Sequence, residues 1–152
     1  MDNYIINKET LAILPCGEKM SLVYEGEKMI IVNAKPNNII KRNCMRYGST
    51  FDGRLKSAEK ITGTSYKTPI LVSGSNKLIF FPTSSPRLSS VAWINMMNVD
   101  KTYYNVLKKV SVIVFNNNTL VEFNVSLNII NNQLLKSMQL EHYLKKKRIY
   151  RA

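Results

Sequence analysis

The apolar positions of this chain follow a period of two over most of its length and switch to a helical period in two stretches. Asn3 to Asn7 and Thr10 to Leu14 are strand-forming runs broken near Asn7-Lys8, and Pro15 with Gly17 ends the second. Ser21 to Tyr24 and Lys28 to Asn33 flank Glu25-Gly26-Glu27, a hairpin in which Gly26 takes the left-handed position. Pro36 then suits the first turn of a helix. Ile40, Cys44 and Tyr47 follow at i, i+4 and i+7 as its buried stripe, and Gly48 is the stop. A second, shorter helix is expected from Asp52 to Ile61, with Leu55, Ala58 and Ile61 inward and Gly63 closing it.

Strand signals return at Pro69 to Val72 and Lys77 to Phe81, which bracket the loop Ser73-Gly74-Ser75-Asn76. Thr83 to Ser90 is a Ser/Pro-rich connection carrying Arg87, and Val91 to Met97, with Trp93, reads as another strand. Lys108 to Phe115 and Thr119 to Val125 are joined by three asparagines as a further hairpin. From Ser126, a fair N-cap, the period is helical again: Leu127, Ile130, Leu134 and Met138 form the expected inner stripe. Lys145, Lys146, Lys147 and Arg148 gather at the end where cations favour the helix dipole. The fold class this predicts is α+β: mostly antiparallel sheet, short helices in the middle of the chain, and a C-terminal amphipathic helix.

Composition adds limits. A chain of 152 residues, 45% hydrophobic and 21% charged, is expected to form a single globular domain, residues 1–152, with no apolar run long enough to cross a bilayer. The start lacks a basic segment followed by a small-residue cleavage site, so a cytoplasmic location is expected. Cys16 and Cys44 have no CxxC spacing and His142 is the one imidazole, which argues against zinc and for two reduced, structural thiols. Neither a cofactor nor a metal is expected. There is no GxxxxGK followed by Ser or Thr, no GxGxxG after a strand, no GxSxG and no recognisable carboxylate pair, so an enzyme reading lacks support. His142, among polar neighbours, reads as a surface residue.

Charge changes the picture most. The formal net charge is +12, and it is uneven. Residues 1–34 hold three lysines against five acids, whereas residues 35–67 hold eight cations against Asp52 and Glu59. A field concentrated in this way points to a polyanion, most often nucleic acid. The stretch Lys41 to Arg54 is the focus: Lys41, Arg42, Arg46 and Arg54 alternate with Tyr47 and Phe51 on a turn punctuated by Gly48 and Gly53. Arginine offers a flat donor fork to phosphates and sugars, and glycine allows close backbone approach. An ordinary helix connection with solvated arginines would have the same composition. A basic module that meets an acidic protein partner without binding DNA is the alternative function. An RNA-binding protein would need exposed aromatics, which here fall mostly on inward strand positions.

Arg42-x-Cys44-x-x-Tyr47-Gly48-Ser49-x-Phe51-x-Gly53-Arg54, followed by Lys67-x-Pro69-Ile70-x-Val72-x-x-Ser75-Asn76-x-x-x-Phe80-x-Pro82-Thr83, resembles the ComK family of competence transcription factors of Gram-positive bacteria. The similarity is dense from about Asn33 to Ile94. It implies a DNA-binding activator of DNA-uptake genes that recognises paired A·T-rich boxes through the minor groove, bends the DNA, acts as a homo-oligomer and is controlled by an adaptor-directed protease. On that reading Lys41, Arg42, Arg46, Ser49, Arg54, Lys56 and Lys60 contact DNA, with the arginines in the groove and the lysines on phosphates. Cys44, Tyr47, Gly48, Phe51 and Gly53 shape the motif, and Tyr47 and Phe51 are packed anchors rather than wedges.

Overall fold

The structure is a computed structural model that describes residues 1–85 and 90–147; Arg87 and Arg148 lie outside the described residues. Strands β1 (Thr10–Cys16), β2 (Met20–Glu25), β3 (Lys28–Val32), β4 (Ile70–Ser73), β5 (Leu78–Pro82) and β6 (Trp93–Asn95) form a six-stranded antiparallel sheet. Its order is β3-β2-β1-β6-β5-β4. Strands β7 (Val99–Asn105), β8 (Val110–Phe115) and β9 (Leu120–Phe123) form a three-stranded antiparallel sheet in that order. The helices are α1 (Pro36–Arg46), α2 (Phe51–Thr62) and α3 (Leu127–Lys146). The chain is therefore α+β and predominantly antiparallel, as its periodicity indicates.

Alternation along the central strands builds two cores, one on each face of the large sheet. Ile13, Val23, Phe80 and Trp93 point to the side covered by Ile39, Ile40 and Cys44 of α1. Ala12, Ile79, Phe81 and Ile94 point to the other side, where Ile113 and Phe115 of the small sheet and Ile130, Leu140 and Leu144 of α3 close over them. Trp93 and Ile94, adjacent in sequence, thus belong to different cores. Helix α2 lies beside the β4 edge and joins both: Phe51 and Leu55 pack on the α1 side, Ala58 and Ile61 on the α3 side. The single inward stripe expected for this helix is in fact divided between two cores.

Several boundaries differ from the sequence pattern, each for a local reason. Asn3 to Asn7 is not a strand. Its buried groups are met by side chains instead, with the Ile6 N–H donating to Asn43 Oδ1 at 2.9 Å and Asn43 Nδ2 donating to the Tyr4 carbonyl at 3.0 Å. The Val91 to Met97 run is strand only at Trp93–Asn95, because the Asn95 side chain accepts from the Met97 N–H and starts a 3-10 turn over Met96–Asn98. Strand β7 has no counterpart among the expected elements, since an edge strand with mostly exposed residues shows no alternating hydrophobicity. The buried face of α3 runs through Ile130, Gln133, Ser137, Leu140 and Leu144, and Met138 is exposed. Gln133 and Ser137 are tolerated inside because both are hydrogen-bonded: Gln133 Nε2 donates to the Lys67 and Pro82 carbonyls, and Ser137 Oγ to the Gln133 carbonyl.

Candidate nucleic-acid interface

The basic stretch folds as helix, turn, helix: α1, then Tyr47-Gly48-Ser49-Thr50, then α2. Pro36 opens α1 after Lys35, which supplies no side-chain cap. A missing cap costs about 1 kcal/mol, while full burial of Ile39 and Ile40 contributes roughly 3–6 kcal/mol between them. Packing on the sheet therefore decides that this segment is helical. The turn ends α1 in a Schellman pattern, with the Ser49 N–H on the Cys44 carbonyl, the Gly48 N–H on the Met45 carbonyl, and Gly48 at φ +86°. Thr50 Oγ1 then accepts from the Gly53 N–H and caps α2. A Cβ on Gly53 would lie 3.0 Å from that hydroxyl, so glycine at this position keeps room for the cap. The cap thus offsets part of the propensity cost of a glycine in the first turn.

The residues singled out by sequence separate into an inner and an outer set. Cys44 is fully buried, and burial pushes its thiol up to about 11 despite the nearby Arg54 charge, which acts in the opposite direction. Tyr47 is half-buried rather than part of a sealed stripe, and its hydroxyl donates to the Ile6 carbonyl at 2.5 Å. Phe51 is also half-buried and meets Trp93 edge to face with ring centroids 6.2 Å apart. Outside, Lys41 holds its Nζ 5.5 Å from the centre of the Phe51 ring, which ties the two helices together. Arg42 and Arg46 lie exposed one turn apart on α1, Arg42 within 3.5 Å of the Asp2 carbonyl. Lys56 and Lys60 lie exposed one turn apart on α2, in a row that Asp52 begins.

Two candidates sit less openly. Ser49 is half-exposed, and its hydroxyl donates to the neighbouring Thr50 carbonyl at 3.3 Å. Arg54 is half-buried, and its Nε is sealed from solvent with no hydrogen-bond partner. From Lys35 to Thr62 the helices and their connection carry seven cations against Asp52 and Glu59. Among the described residues, the ion pairs Lys108–Glu122 and Lys145–Glu141 lie elsewhere. No group of His, Cys, Asp and Glu that could hold a metal occurs among the described residues, and no described helix is long and apolar enough to cross a membrane. His142 is exposed on α3.

Sequence reasoning missed a second concentration of charge. Lys67, in the turn before β4, and Lys136, on α3, are brought together by the fold, although nothing in their spacing connects them. The aromatics fall mostly inward, as expected, but not all of them. The phenylalanines and Trp93 do, but Tyr66, Tyr103, Tyr104 and Tyr143 are exposed.

A family model described as ComK protein matches residues 1–149. The competence transcription factor of Bacillus subtilis (strain 168) is 31% identical over 140 residues, which cover 90% of this chain and 72% of that protein. No solved structure matches. The chain belongs to the ComK family, and with it to the competence transcription regulators.

Proposed function

We propose that this chain regulates competence genes by binding A·T-rich duplex DNA in the minor groove through α1, the Gly48 turn and α2. The supporting observation is the outer surface of those two helices, where Lys41, Arg42, Arg46, Lys56 and Lys60 are all exposed with no carboxylate in ion-pair contact among the described residues. Narrow A·T minor grooves focus negative potential and attract arginine without requiring a base-specific pattern. Arg46 presents its guanidinium fork to such a groove, Arg42 the part of its fork that is not on the Asp2 carbonyl, and Arg54 a contact from its half-buried side chain. Lys41, Lys56 and Lys60 take phosphates, and the Ser49 hydroxyl can turn from the Thr50 carbonyl to a phosphate oxygen. Paired boxes are met by more than one copy of the chain, acting in the cytoplasm at the nucleoid.

Helix-turn-helix connectivity favours one competing reading, in which α2 enters the major groove. In that geometry the N-terminal residues of the second helix read base edges, yet here the exposed ones are Asp52 and Gly53. A carboxylate and a bare backbone are poor readers beside phosphates, and the minor-groove reading is the better supported.

Affinities of variants on an A·T-box duplex and on a scrambled duplex test the assignment. Arg42→Ala and Arg46→Ala should reduce box affinity more than scrambled affinity. Lys60→Ala should weaken both alike and lower the salt slope by about one unit. Equal losses on both duplexes for the arginine variants would remove the groove contact from the account.

A further inference from the structure

The turn that leads into β4 carries Lys67 and the Tyr66 ring, and α3 brings Lys136 against it. Lys67 sits in the left-handed region at φ +51°, a conformation uncommon for a side-chain-bearing residue. Its carbonyl is fixed by Gln133 Nε2 at 2.6 Å, and Gln133 itself is 1% exposed, so the turn is clamped from inside by α3. One helical turn beyond Gln133, Lys136 Nζ donates to the Tyr66 carbonyl at 3.4 Å. Lys67 Nζ lies 5.1 Å from the centre of the Tyr66 ring, which is 58% exposed.

Tyr66 and Lys67 border a cleft of about 520 Å³ whose other wall is Phe51, Leu55 and Glu59 of α2; Lys136 is not part of that lining but is held next to it on the Tyr66 carbonyl. Thr68 lines the same cleft, 1% exposed, with a buried hydroxyl that has no hydrogen-bond partner among the described residues. Burial, and then the charge of Lys67, hold the Lys136 ammonium below the ordinary lysine range. Neither lysine has a carboxylate within ion-pair distance among the described residues. Glu59 is the acid that faces the cleft, from the α2 side. Two like charges, one on a strained, clamped turn and one on the helix against it, cost folding energy that an anion beside them would offset.

We propose that Lys67, Lys136 and Tyr66 form a phosphate-binding subsite at the β4 edge, which takes a backbone phosphate of the DNA strand beside the stretch held by α1 and α2. This rests on the DNA-binding reading above and extends it around α2, since Phe51 belongs both to the motif and to the cleft wall. The ammonium groups of Lys67 and Lys136 grip the phosphate oxygens, the Tyr66 ring lies against the sugar, and the Thr68 hydroxyl is a donor at the cleft floor. Glu59 opposes the anion and limits its affinity.

The test is the salt dependence of duplex binding for Lys67→Gly, Lys136→Gln, Glu59→Gln and, as a control on the far edge of the sheet, Lys28→Gln. Glycine suits φ +51° better than lysine does, so Lys67→Gly should keep or raise the melting temperature while losing the ammonium. Each of Lys67→Gly and Lys136→Gln should lower the slope of log affinity against log salt by about one unit without changing the ratio of box to scrambled affinity. Glu59→Gln should tighten binding, and Lys28→Gln should leave the slope unchanged. Wild-type slopes retained by both cleft variants would overturn the subsite while leaving the α1–α2 interface standing. Absence of salt-dependent binding by the unaltered chain would overturn both.

Discussion

Asn43 reaches from the inner face of α1 to Ile6, accepting the backbone N–H of Ile6 at 2.9 Å while its own amide donates to the Tyr4 carbonyl at 3.0 Å and the Ile39 carbonyl at 2.8 Å. One carboxamide thereby replaces the neighbouring strand that the segment before β1 lacks. Asn43→Ala would leave a buried donor and acceptor without partners. The expected loss of unfolding free energy is about 2–4 kcal/mol, read from the denaturant midpoint. Faster amide exchange at Ile6 should accompany it, and unchanged exchange there would contradict the assigned role.

The cap of α2 couples Thr50 to Gly53. Thr50→Ala should cost about 1 kcal/mol. Gly53→Ala alone should fail to deliver the gain of about 1 kcal/mol that alanine ordinarily brings to a helix, because its methyl would crowd Thr50 Oγ1 at 3.0 Å. In the double variant that gain should reappear. Thermal melts of the four proteins measure the coupling, and strict additivity would show that the two residues do not interfere.

Much of this was legible in the sequence because it depends on local chemistry. Pro36, Gly48 and Gly63 mark the helix limits through backbone geometry that proline and glycine favour, and the strands around Gly26 and Asn116-Asn117-Asn118 declare themselves by alternation. What stayed hidden is what depends on distant partners. Gln133 looks like a surface residue until the carbonyls of Lys67 and Pro82 are seen above it. Strand β7 forms because β8 offers it an edge, not because its own residues alternate. In the candidate interface, the run of charge from Lys41 to Lys60 located the exposed cations, while the partial burial of Arg54 and the approach of Lys136 to Lys67 arise only when distant parts of the chain meet.

Stability should depend on pH at both ends through one hydrogen-bonded cluster. Hydrogen bonds from Asn7 and then Tyr4 hold the Glu25 carboxyl below its ordinary value of 4.5. A depressed folded value gives stabilisation that is present above the unfolded pKa and lost as pH falls through the lower folded one. Burial, first, and the neighbouring carboxylate raise the Tyr4 phenol above its ordinary value of 10.0. That stabilisation is complete below the unfolded pKa and is lost as pH rises above it. Glu25→Gln should therefore flatten the acid limb of a stability profile, and Tyr4→Phe the alkaline limb. Unaltered limbs in the variants would contradict the assignment.

The two thiols should behave differently. Cys44 is sealed and its thiolate disfavoured by burial, whereas Cys16 is half-exposed. In the folded protein near neutral pH a disulfide reagent should modify Cys16 first, with Cys44 following only at the rate of opening. Equal rates would place α1 off the sheet.

The most direct measurement of the central claim is a gel shift with a duplex carrying two A·T boxes, titrated at moderate salt with and without a ligand that fills the A·T minor groove. The account predicts a shift that the ligand abolishes and that weakens steeply as salt rises. A shift indifferent to the ligand would transfer recognition to the major groove and α2, and no shift at all would contradict DNA binding by this surface.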